Sequence, residues 1–137
     1  MELYVPGSSW NPSNEMKAST DYEKFDGRKS YAFDTAGGYY AARLPILEYL
    51  ESIKKQACVL VFRMETPSYW AALGVWVVRE SVRKALQNKM KFSSREELLE
   101  SVRKIGRIKY NYDFTDLLRR SVLLRERKEQ KNLLDFL

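Results

Sequence analysis

The sequence predicts an α+β fold: a small antiparallel hairpin or sheet packed against about four helices, with a loop-rich N-terminal arm and an exposed C-terminal tail. Three observations predict it. Apolar residues recur at every third or fourth position in several stretches from residue 39 onward, which is the period of a helix with one buried face. Two short runs rich in β-branched and aromatic residues, 57–65 and 72–78, flank a five-residue turn. The first 38 residues hold four of the six glycines and two of the four prolines, the composition of loops rather than of regular elements.

In the arm, residues 1–38, Trp10, Tyr22, Phe25, Tyr31 and Phe33 supply too much aromatic surface for a disordered tail and are expected to pack on the body. Over 39–55, Tyr40, Leu44, Leu47, Leu50 and Ile53 form the stripe of an amphipathic helix. Pro45 lies inside it; lacking an amide hydrogen, it predicts either a kink or a true start near Leu44. Residues 57–65 read as a buried strand, 66–70 as a turn and 72–78 as a second strand, together an antiparallel hairpin. Cys58, inside the first run, reads as a small buried hydrophobe. Residues 79–88 suit a helix with Val82, Ala85 and Leu86 as its stripe. Ser94 and Glu97 are spaced as a capping box, so a helix follows with Leu98, Leu99, Val102 and Ile105 inward and Gly106 as its stop. Asp113 or Thr115 caps a last helix from 116 to about 128, burying Leu117, Leu118, Val122 and Leu124. The organisation expected is a single domain over 1–129 and a separate peptide over 130–137.

Composition narrows the function classes. With one cysteine and no histidine in 137 residues, the common metal sites, disulfide frameworks and Ser-His-Asp triads are excluded, and no cofactor or metal is expected. No apolar run approaches the roughly 18 residues of a membrane span, and the N-terminus lacks a basic start before an apolar core. A cytoplasmic protein with no membrane partner is the expectation. The net charge of +6 is uneven: residues 1–78 carry 8 Lys and Arg against 9 Asp and Glu, and residues 79–137 carry 16 against 9. Basic charge gathered in one half suits a phosphate-bearing partner, although a solvated helical surface has the same look.

The last eight residues carry the sharpest motif. Gln130, Leu133, Phe136 and Leu137 stand in the order Gln-x-x-Leu-x-x-Phe-Leu, which resembles the peptide (PIP box) that docks on a DNA sliding clamp of the PCNA type. If 133–136 form one 3₁₀ turn, Leu133 and Phe136 eclipse and project together as an apolar plug that Leu137 widens. Gln130 has an amide that both donates and accepts in a small polar pocket. Burying each large apolar side chain contributes roughly 1.5–3 kcal/mol before ordering costs, so the peptide alone binds weakly and gains from a trimeric clamp. A packed helix end is the alternative, but the stretch 125–132 is entirely polar and a core-facing helix would not skip two turns.

Three upstream blocks carry a family resemblance: Asp34-Thr35-Ala36-Gly37-Gly38-Tyr39-Tyr40-Ala41-Ala42-Arg43-Leu44, Cys58-Val59-Leu60-Val61-Phe62-Arg63, and Leu73-Gly74-Val75-Trp76-Val77-Val78-Arg79-Glu80-Ser81-Val82-Arg83. In this order, and followed by the tail, they resemble the C-terminal part of the archaeal Nre proteins. The resemblance covers roughly 30–137 and implies a role in DNA repair with recruitment to the clamp. Full-length members are severalfold longer, some with a cysteine-rich metal-binding segment that has no counterpart here, so activity housed in the remainder does not carry over. The tail transfers at Gln130, Leu133, Phe136 and Leu137, the last standing where many clamp ligands place a second aromatic.

Other constellations have a functional and a structural reading. Tyr39 and Tyr40 could stack on bases while Arg43 holds a phosphate; equally, the rings could pack and Arg43 be solvated. Trp76, Arg79 and Glu80 sit at an expected strand-to-helix junction that could receive an anion, or Arg79 and Glu80 could form an ion pair. Arg103, Arg107, Arg119, Arg120, Arg125, Arg127 and Lys128 are candidates for phosphate contacts or a solvated face. Asp34, Glu65 and Glu80 are the acids near apolar segments, and no spacing binds them into a dyad or a Mg²⁺ site; catalysis by this chain alone is not expected. The reading is a DNA repair accessory domain recruited to the clamp, with DNA and other repair proteins as further partners. The alternative is a DNA- or RNA-binding domain using its basic half without the clamp.

Overall fold

A computed structural model describes residues 1–71 and 73–129. Among them a three-stranded mixed sheet and five helices give the α+β class that the sequence predicts. They fall into two units, Met1–Lys89 and a second beginning at Met90.

The first unit is organised by β1 (Glu2–Tyr4), which pairs antiparallel with β2 (Lys17–Ser19) and parallel with β3 (Arg63–Glu65), in the order β2-β1-β3. Leu3 lies opposite Ala18 and Met64 in register and is fully buried. Because successive strand residues face opposite sides, Glu2 and Tyr4 share a face with Arg63 and Glu65. The arm therefore contains two strands that composition did not announce: each is three residues long, too short for a period-two signal.

Helix α1 (Ala36–Ser52) starts at the two glycines and runs through Pro45, which is buried within it. The expected restart near Leu44 does not occur. A neighbouring helix, α2 (Trp76–Gln87), packs on α1, so burial of the proline ring outweighs the one missing backbone bond. Across their junction Pro45 and Tyr49 face Arg83 and Leu86 in a shallow groove.

The expected 57–65 and 72–78 hairpin is absent. Of the first run, Arg63–Glu65 joins the sheet, while residues 57–62 belong to no strand and Cys58 is exposed rather than buried. The second run is interrupted by Gly74 at φ +93° and its remainder forms the first turn of α2, where Val78 is buried. Val78, Val82 and Leu86 then keep helical spacing, and four consecutive apolar residues fit a helix start as well as a strand.

In the second unit, α3 (Arg95–Tyr110) begins as the capping box predicts: Ser94 Oγ accepts from the Glu97 amide at 3.1 Å. The Glu97 carboxylate in turn accepts from the Ser93 amide at 2.9 Å, closing the box one residue early. Gly106 does not end the helix. The stop is Asn111, in the left-handed region at φ 49°, and Gly106 instead gives room for the Phe114 ring. The last expected helix is two, α4 (Thr115–Arg120) and α5 (Val122–Glu129). Phe114 is the N-cap of α4, and Asp113 Oδ1 just before it accepts from the Thr115 amide at 2.8 Å; buried Ser121, extended at ψ 111°, breaks the run, and its Oγ accepts from the Leu124 amide at 3.3 Å. Phe114, Leu117 and Leu118 are its buried core, whereas Leu98, expected inside, is exposed.

Candidate functional site

Two charged clusters are built around the start of α1. The first lies on the polar face of the sheet. Arg63 donates from one terminal nitrogen to Glu2 Oε1 and from the other to Glu65 Oε2, both at 3.1 Å, and Tyr4 Oη donates to Glu2 Oε2 at 2.6 Å. The Trp10 amide donates to the second oxygen of Glu65, which is 2% exposed. Burial and the bond to Glu2 push the Tyr4 hydroxyl up to about 12. The Glu2 carboxylate presses on α1 so closely that a Cβ on Gly38 would collide with Oε1, which is why the helix opens with glycine there. Both acids are thus bridged by one guanidinium, the arrangement of a structural tie.

The second cluster holds the amino end of α1. Asp21 Oδ2 accepts from the Thr35 amide at 2.7 Å, the Thr35 hydroxyl at 2.9 Å and the Asp34 amide at 3.1 Å, and Oδ1 accepts from Arg28 at 3.0 Å. Thr35 makes no side-chain cap of its own, so this carboxylate from the arm supplies it and meets the positive end of the helix dipole. Burial pushes Asp21 up, but the Thr35 bonds and Arg28 outweigh it and hold the carboxyl below its ordinary value. Glu23 is likewise held low: against its burial act bonds from Tyr39 and from Arg43, the latter at 2.8 Å. Sharing Glu23 and its burial raise the Tyr39 hydroxyl.

A depressed carboxylate contributes stability above its unfolded pKa, about 4, and loses it as the pH falls through the folded value. Asp21→Asn is therefore expected to lower the urea midpoint at pH 7 and to differ progressively less from the wild type as the pH is lowered below about 4. An unchanged gap at low pH would show that the carboxylate's charge is not what holds the helix start.

The structure places the other anticipated residues as follows. Tyr40 accepts from the Ala32 amide at 3.0 Å and lies 4.6 Å from the Tyr31 ring; Tyr39 meets Tyr40 edge-on at 5.1 Å, with Arg28 over its face at 5.3 Å. Tyr39, Tyr40 and Arg43 are brought together, each engaged within the unit. Arg79 bonds Glu80 at 3.3 Å, and Glu80 also accepts from Arg83 at 2.7 Å. Asp34, Glu65 and Glu80 do not assemble: Glu65 is tied to Arg63, Glu80 to two arginines on α2, and Asp34 is exposed before α1. Among the described residues no group of three or more Cys, Asp and Glu is placed to hold a metal ion, and no helix is long and apolar enough to cross a membrane.

In the second unit Arg103 bonds Glu100 at 3.1 Å, Arg107 lies 3.7 Å from Glu100 and 3.9 Å from Asp113, Arg119 pairs with Asp116 at 3.3 Å, and Arg120 is exposed. Gln130, Leu133, Phe136 and Leu137 lie outside the described residues. Sequence reasoning missed the Glu2–Arg63 and Asp21–Thr35 ties; nothing in local spacing joins partners 61 and 14 residues apart.

The fold and clusters define a small α+β protein in whose first unit every arginine is paired with a carboxylate. The chain belongs to the family described as archaeal Nre, C-terminal, whose model matches residues 23–136. It is 45% identical over 92 residues to the DNA repair protein NreA of Haloferax volcanii, covering 66% of this chain and 22% of that protein. To NreA of Archaeoglobus fulgidus it is 48% identical over 89 residues, 65% of this chain and 22% of the relative. To the DNA repair protein NreB of the same organism it is 35% identical over 137 residues, 99% of this chain and 34% of the relative. The chain thus spans between about a fifth and a third of the curated relatives it matches. No solved structure matches it.

Proposed function

We propose that this chain is a DNA repair accessory domain brought to a PCNA-type sliding clamp by its C-terminal residues. The observation that carries the proposal is the spacing of Gln130, Leu133, Phe136 and Leu137. Support comes from membership of the Nre family and from relatives named as DNA repair proteins. The order of elements is compatible with it: exposed Arg125 and Arg127 of α5 lie between Leu124 and the motif.

DNA is the second proposed partner, through Arg103, Arg107, Arg119 and Arg120. The ion pairs of the first three are at the surface, where such pairs contribute about 0–1 kcal/mol and yield readily to a phosphate. Other repair proteins bound to the same clamp are the third.

Retention on immobilised archaeal clamp tests the reading. The 137-residue chain should be retained at low salt and a chain ending at residue 129 should wash through. Equal retention of both would remove the clamp from the proposal.

A further inference from the structure

The first unit leaves its tryptophans in solvent. Trp10, Trp70 and Trp76 are 63%, 85% and 51% exposed, and these are all the tryptophans of the chain. They belong to one region: Ser9 Oγ donates to the Tyr69 carbonyl at 2.5 Å, holding the Trp10 loop beside Trp70. The Tyr69 hydroxyl accepts from the Leu73 amide at 3.0 Å, and Leu73 and Val75, on the way to Trp76, are also more than half exposed. Single exposed apolar residues are ordinary, but five large ones along adjoining loops and the start of α2 mark a surface that binds something.

The charges nearby decide what kind of partner. A nucleic-acid platform combines exposed aromatic rings with cations free to meet phosphates. Each of the five arginines of this unit, Arg28, Arg43, Arg63, Arg79 and Arg83, is paired with a carboxylate. The five exposed residues themselves carry no charge, which is the chemistry of a protein interface rich in tryptophan anchors. A second feature agrees. Residues 57–62, six consecutive apolar residues, belong to no strand, and 57–59 are exposed, which leaves apolar surface for a partner to cover. The family description places the matched region at the C-terminal end of Nre proteins, and 34% of NreB and 22% of NreA is all that the match covers, so those relatives carry a large polypeptide beside it.

We infer that the tryptophan surface of residues 1–89 is the docking face for the preceding portion of an Nre polypeptide, which covers Trp70 and Trp76 and supplies apolar contacts to the 57–62 run. The fold described is then one part of a larger Nre body, and its exposed aromatic surface is internal to that body.

The test places this chain in the position of the matching third of Archaeoglobus fulgidus NreB and compares oxidative labelling of its tryptophans with that of the 137-residue chain alone. Protection of Trp70 and Trp76 by about tenfold or more in the chimera is expected, as for anchors at an interface. Trp70→Asp in the chimera should expose Trp76 again while leaving the circular dichroism of the isolated chain unchanged, since an 85% exposed ring is not needed for folding. Equal labelling in chimera and isolated chain would overturn the inference. So would protection already present in the isolated chain at high concentration, which would identify a second copy as the occupant, or quenching of the tryptophans by oligo(dT), which would identify a nucleic acid.

Discussion

Arg63→Met is expected to destabilise the first unit by about 3–5 kcal/mol at neutral pH, the range for removing one partner of a buried charged set. Arg63 is the cation that Glu2 and Glu65 share, and the carboxylates are 9% and 1% exposed. Without it two acids face one another across β1 and β3 with Tyr4 and a backbone amide as their remaining donors. The loss should show as a lower urea midpoint with an unchanged slope, and Arg79→Met, at an exposed pair, should move the midpoint by less than about 1 kcal/mol. A loss at Arg63 as small as that at Arg79 would mean that water reaches both carboxylates.

Gly106→Ala is the second large effect, and its sign is opposite to the usual one. In an open helix interior alanine is favoured over glycine by about 1 kcal/mol. Here a Cβ would overlap the Phe114 ring and stand 2.7 Å from the Tyr112 carbonyl oxygen, a backbone atom that cannot step aside. The expected outcome is a net destabilisation of about 1–3 kcal/mol, the cost of overpacking a filled site. Trimming the ring should relieve part of it, so Phe114→Leu should cost less in the Gly106→Ala background than in the wild type. Additive costs would contradict the contact.

What the sequence made legible follows from the range of the physics involved. The capping box at Ser94 and Glu97 and the burial of Leu117 and Leu118 are settled within one or two turns of chain and are found where the pattern puts them, while the expected cap at Asp113 falls one residue later, on Phe114, with Asp113 still accepting from the Thr115 amide. The 72–78 run is ambiguous in sequence because Val75, Trp76, Val77 and Val78 satisfy a strand and a helix start equally; packing on α1 decides between them. Gly106 is ambiguous for a related reason, since a glycine that ends a helix and one that admits a ring from the next segment look alike until Phe114 is in place. The clusters were hidden altogether. Glu2, Asp21 and Glu23 carry no local signature, yet they fix Arg63, the start of α1, Tyr39 and Arg43. Those ties occupy side chains that local reading offered to nucleic acid, and they leave the proposed recruitment resting on the C-terminal residues.

Titration of an archaeal PCNA-type clamp with the full chain and with its Phe136→Ala variant measures that recruitment most directly. Removing the larger ring of the plug should weaken binding by at least about tenfold, or 1.4 kcal/mol, with the circular dichroism of the chain unchanged. Equal affinities of the two proteins for the clamp would contradict the account.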